Sequence, residues 1–147
     1  MGQITKTFWL VLGLLALGTQ TCVADEKVYK EGTVWSVTFI KVKTGMFDVY
    51  MRELAAVRKA LMAEGKKQGL IVSEKMLYGS SANREDWDLM LMEEYKNWAA
   101  FDGFAEKWDA MLLKIIGSEE KQVQTMVKRT EVREIVGDKI LQEITFK

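Results

Sequence analysis

The chain has 147 residues with 21 acidic and 21 basic side chains, no histidine, no proline and one cysteine. Balanced charge excludes the broad basic footprint of a nucleic-acid-binding protein. The absence of histidine excludes Ser-His-Asp and Cys-His nucleophile systems and the commonest zinc ligands, and no Gly-rich phosphate loop is present, so no metal and no cofactor is expected.

In chain order the first segment is separable from the rest. Lys6 precedes the apolar run "FWLVLGLLALG" at residues 8–18, and small residues at Cys22 and Ala24 follow. This pattern predicts a signal peptide, residues 1–24, cleaved after Ala24. The run is shorter than the roughly 20 apolar residues of a membrane-spanning helix. Residues 25–147 are then expected to form one secreted or periplasmic domain that touches no membrane after cleavage. Cleavage removes the only cysteine, so the domain is expected to be held by its core rather than by disulfides.

A strand is predicted at residues 34–42, with Val34, Ile40 and Val42 on one side and Trp35, Val37 and Phe39 on the other. Apolar residues on both faces imply burial of both faces. Phe47, Tyr50, Met51, Leu54, Val57, Ala60 and Leu61 then recur at helical spacing, with Thr44 as a candidate cap and Gly69 as a stop. "LIVSEKMLYG" and "DWDLMLMEEY" read as two antiparallel strands joined by "SSANRED". Trp98, Phe101, Phe104, Trp108, Met111, Leu112 and Ile115 mark a second helix behind Asn97, with Gly103 a possible break. "SEEKQVQ" predicts one or two helical turns capped by Ser118, "TMVKRTEVREIV" a strand, and "DKILQEITF" a short last strand.

This order, β-α-β-β-α-β with a C-terminal tail, predicts an α+β ferredoxin-like sheet with two helices on one face. The other face is too apolar to be left in water, and a second copy of the same sheet is its simplest cover. On the element order, the "DWDLMLMEEYKNWAAFDGF" passage and the "RTEVREIV" strand with its tail, the chain resembles the dimeric α+β barrel superfamily, and within it exported bacterial members of unassigned function. The resemblance implies a homodimer packed sheet to sheet. It also brings a range of activities: cofactor-independent oxygenases, haem-degrading enzymes, haem peroxidases, lactone isomerases and proteins with no known activity. Lacking histidine, this chain cannot supply an imidazole haem ligand, and Asn97-Trp98 reads as cap and core rather than as part of a haem-degrading set.

The candidate site residues are mostly polar and aromatic side chains of the predicted strands. Glu93 and Glu94 point to opposite faces, so one of them faces inward and needs a partner. Asp86 and Asp88 flank Trp87 at a strand end, where acids normally meet water. Arg129, Glu131 and Arg133 would share one face of the last main strand, as an ion-pair row or as an anion-binding edge. Of Glu74 and Lys75, one also faces the interior, while Trp35, Tyr78 and Trp87 are candidates for an aromatic pocket. The leading expectation is a small, partly apolar ligand bound between sheet faces. One alternative is a cofactor-independent oxygenase or isomerase with an inward carboxylate or Tyr as base. Another is an interaction module that adds residues 138–147 to a partner sheet.

Overall fold

The computed structural model describes residues 26–147. The expected cleavage site, Cys22 and the apolar run before it lie outside the described residues. Four strands and three helices follow in the order β1 (Tyr29–Val42), α1 (Phe47–Lys67), β2 (Ser73–Tyr78), β3 (Leu89–Tyr95), α2 (Phe104–Ile116), α3 (Glu119–Val132) and β4 (Arg133–Phe146). The strands form one antiparallel sheet in the order β2-β3-β1-β4. This is the ferredoxin-like arrangement.

The register assigns every strand residue to a face. Val34, Ile40 and Val42 of β1 lie with Leu89, Leu91 and Tyr95 of β3 on the side that meets the helices. There they pack on Tyr50, Leu54 and Leu61 of the α1 stripe, on Met62 beside it, and on Met111 of the second stripe. The opposite face carries Trp35, Val37 and Phe39 of β1, Met90 and Met92 of β3, Leu77 of β2 and Leu141 of β4. All three helices lie on the other side and leave it open.

α1 begins at Phe47 behind Met46, with no side-chain cap, so Thr44 does not serve that end. Its other end stops at Gly69, whose φ of 70° reverses the chain. The second predicted helix divides at Gly103. A single 3₁₀ turn, Trp98–Phe101, precedes it, and Gly103 at φ 63° starts α2 on a new axis. A left-handed backbone conformation is readily adopted by glycine and costly for most other residues. The break turns Phe101 and Phe104 onto Tyr95, at ring centroid distances of 4.7 and 5.4 Å. Burial, reinforced by the nearby Glu93 charge, pushes the Tyr95 phenol up to about 12.

The main departure from the sequence expectation lies at residues 119–132. The segment predicted as one or two turns followed by a strand is one continuous helix, α3. Ser118 caps it by accepting from the Lys121 amide, and Glu119 and Glu120 occupy the positive end of its dipole. Thr125 and Thr130, whose β-branching suggested a strand, hydrogen-bond back to the carbonyls of Lys121 and Val127 within the helix. Strand structure starts only at Arg133. β4 then runs without interruption to Phe146, with a bulge at Val136, so the predicted tail is the second half of that strand. Residues 138–146 are paired to β1 of the same chain, with Asp138 opposite Thr38 and Phe146 opposite Tyr29.

Candidate functional site

Between the sheet and the helices lies a cavity of about 280 Å³. Its floor is Thr38 and Ile40 of β1, Leu91 of β3 and Ile135 of β4. α1 supplies Tyr50, Leu54, Val57, Arg58, Leu61 and Met62, and α2 supplies Trp108, Leu112 and Ile116. α3 closes the remaining side with Gln122, Thr125, Met126 and Arg129, and Arg133 stands at the start of β4. The walls are therefore unequal: mostly hydrocarbon and indole from α1 and α2, with Tyr50 and Arg58 as the polar exceptions, and a larger share of hydroxyl, amide and guanidinium from α3 and the start of β4. A second, more open cleft bounded by Lys43, Met126, Thr130, Arg133, Glu134 and Ile135 shares three of its residues, Met126, Arg133 and Ile135, with the cavity.

Three arginines meet this space, and they are not equivalent. Arg58 projects from α1 onto the sheet, where its Nη2 donates to Glu93 and its Nε lies 3.4 Å from Glu74 without hydrogen-bond geometry. Glu74 also takes Lys66 at 3.0 Å. Glu93 is thus the inward glutamate, and Arg58 neutralises it. Glu94 faces the open side and accepts from the Ser73 hydroxyl.

Arg129 and Arg133 have no such partner. Among the described residues neither forms a salt bridge. Nε and Nη2 of Arg129 and Nε of Arg133 are shut off from solvent with no hydrogen-bond acceptor. Arg133 lies over the Tyr50 ring, 5.6 Å from its centroid. Burial pulls the Arg129 guanidinium below its ordinary value, with Arg133 reinforcing and Tyr50 and Glu53 opposing. Burial also raises the Tyr50 phenol, against the pull of the three arginines, so at neutral pH its hydroxyl is a neutral donor rather than a base.

The predicted candidates are divided among five places. Trp35 and Trp87 are on the open sheet face, Trp35 beneath the Lys75 ammonium at 5.0 Å and Trp87 against Phe39 at 5.3 Å. Tyr78 belongs to the helix side, its ring tilted against Phe47 at 5.1 Å, so these three aromatics form no common pocket. Glu74 and Glu93 meet at Arg58. Arg129 and Glu131 lie on α3 rather than on a strand; Glu131 is exposed, and the alternating row on one strand face does not exist. Arg129 and Arg133 do come together, one helical turn apart across the α3–β4 junction. Asp86 and Asp88 serve backbone amides at the end of the β2–β3 loop, Asp86 that of Ala82 at 2.7 Å and Asp88 that of Val42 at 3.0 Å.

Sequence reasoning missed Arg58, although a signal for it exists. It sits four residues after Leu54 and three before Leu61, a charge on the buried stripe of an otherwise regular helix. It also missed Tyr50, Gln122 and Thr125 as site residues, Tyr50 because it belongs to a core stripe, the others because α3 was expected to end. Among the described residues no group of His, Cys, Asp or Glu could hold a metal ion, and no helix is long and apolar enough to cross a membrane.

No protein-family model matches the chain, and no curated protein matches it in sequence. Solved structures are similar to it at low identity. HapK from Hahella chejuensis aligns with 11% identity and a TM-score of 0.49, covering 75% of this chain and 91% of that one. A protein from Shewanella oneidensis aligns with 14% identity and a TM-score of 0.48, covering 79% and 97%. A dimeric ferredoxin-like protein from an uncultured marine organism aligns with 10% identity and a TM-score of 0.48, covering 80% and 90%.

Proposed function

We propose that the protein is an exported homodimer whose subunits each bind a small, partly apolar molecule in the cavity between sheet and helices. The observation that carries the binding role is the cavity itself: about 280 Å³, walled by Leu54, Leu61, Leu91, Trp108 and Leu112 on one side and polar groups on the other. Its size stands at the lower end of the roughly 300–1,000 Å³ of small-molecule pockets. The carboxylate-base alternative is disfavoured, because no Asp or Glu lines the cavity and the inward Glu93 is committed to Arg58. Binding is placed on the helix side of the sheet, which leaves the open face for the second copy. That face joins apolar Trp35, Phe39, Met90 and Met92 with Lys75, Lys139 and Glu94, a mixture of signs that another copy of itself can complement.

Two measurements test the reading. Calorimetric titration of the full chain with 1-octanol is expected to show one site per subunit, and Leu112→Trp, which fills the cavity, is expected to abolish it; uptake unaffected by that substitution overturns the cavity as the site. Light scattering of the exported protein is expected to give twice the mass of a chain cleaved after Ala24, and Met92→Glu on the open face is expected to halve it. A monomeric mass for the unsubstituted protein overturns the dimer, and a protomer still carrying Met1 overturns the cleavage.

A further inference from the structure

The polarity of the cavity says more about its occupant than its volume does. Guanidinium groups are strongly hydrated donors, and burying their N–H bonds without acceptors is costly. Buried polar groups in folded proteins are nearly always hydrogen-bonded, so orphaned ones call for a partner. Four such atoms belong to residues lining this cavity: Arg58 Nε has the Glu74 carboxylate at 3.4 Å, while Nε and Nη2 of Arg129 and Nε of Arg133 have no anion in contact. Both side chains are cationic at any ordinary pH. The carboxylates of Glu93 and Glu74, which could have answered them, are held by Arg58 and Lys66. Glu53 faces Arg129 electrostatically but forms no ion pair with it.

Two cations one helical turn apart repel each other, and a fold that only needed filler would place apolar side chains there. Around them stand further donors suited to an oxyanion: the Tyr50 hydroxyl and the Gln122 amide. Beyond these the walls turn to Leu54, Leu112 and Trp108. The neighbouring cleft shares Arg133 with the cavity and adds Lys43 and Glu134.

We infer that Arg129 and Arg133 form a clamp for the oxyanion head group of a small amphipathic ligand whose apolar body lies along α1 and α2. The inference rests on the cavity being a binding site and specifies the chemical class of what it binds. A planar guanidinium fork matches both carboxylate and phosphate, bidentately in each case.

The test compares octanoate, octyl phosphate and 1-octanol by calorimetry on the full chain. At least one of the two anions is expected to bind about tenfold or more tightly than the alcohol, the margin of a charge-assisted hydrogen bond to a desolvated guanidinium. Which anion shows the margin identifies the head group. Arg129→Gln and Arg133→Gln are each expected to remove most of that margin, whereas Lys128→Gln, on the exposed side of α3, leaves all three affinities unchanged. Equal affinity for the anions and the alcohol overturns the clamp while leaving the cavity reading standing. No uptake of any of the three overturns both. The comparison on the unsubstituted protein decides the matter even if an arginine variant fails to fold.

Discussion

Arg58→Ala is expected to lower the stability of the fold by about 3 kcal/mol or more, because it strips the partner from a buried carboxylate. Arg58 and Glu93 are each only 12% exposed, between α1 and the middle of the sheet. In water both ions would be hydrated; here each is the other's main compensation. Deleting the guanidinium leaves Glu93 facing the helices with no cation in contact, while Glu74 retains Lys66. Glu93 is then left largely desolvated and unpaired, which costs free energy. The double substitution Arg58→Met with Glu93→Met is expected to recover most of the loss, since apolar side chains of similar volume fill the space without a desolvation penalty. Urea unfolding of Arg58→Met, Glu93→Met and the double variant gives the coupling directly. A loss below about 1 kcal/mol in Arg58→Ala would place the pair among exposed ion pairs and remove its structural importance.

The second large effect concerns hydrocarbon. Ile40→Ala is expected to cost about 3 kcal/mol, within the range of roughly 2–5 for truncating a buried aliphatic side chain. Ile40 is 1% exposed, packed with Tyr50, Leu54 and Leu89, and forms part of the cavity floor. The neighbouring helices are anchored on the same residues and cannot collapse onto the space, so the cavity term adds to the lost transfer energy. Ile140 provides the control. It lies on the same face of the sheet, opposite Ser36, but is 48% exposed because the helices stop short of that part of the edge strand β4. Ile140→Ala is expected to cost less than about 1 kcal/mol, in line with substitutions away from the core. Similar losses at the two positions would mean that β4 is covered in solution by something that buries Ile140 as well.

Much of this architecture is legible in the residues because its signals are local and repeated. The 21-residue α1 announces itself by its stripe, β1 by apolar residues on both faces, and β3 by the alternation of Leu89 and Leu91 with Met90 and Met92. Gly103 and Ser118 mark a helix break and a helix start through backbone conformation and capping, which act within a few residues. Residues 125–132 were misleading for the same reason. Threonine and valine favour strands weakly, but the capped helix behind them carried on, and back-bonding through Thr125 and Thr130 removed the local objection.

The site is a different matter. That Glu93 or Glu94 must face inward follows from strand alternation alone. Which of them does, and that Arg58 meets it, depends on which side of the sheet α1 covers, a choice made by packing between segments 35 residues apart. The pairing of Arg129 with Arg133 likewise needed α3 to end where it does. On one strand they would have been fellow members of a row with Glu131, and their charges would have been answered there. Local pattern governs the elements because hydrogen bonds and side-chain spacing within an element are short-range. The cavity and its unanswered charge arise where three helices and a sheet meet, and only the assembled fold brings those side chains to one place.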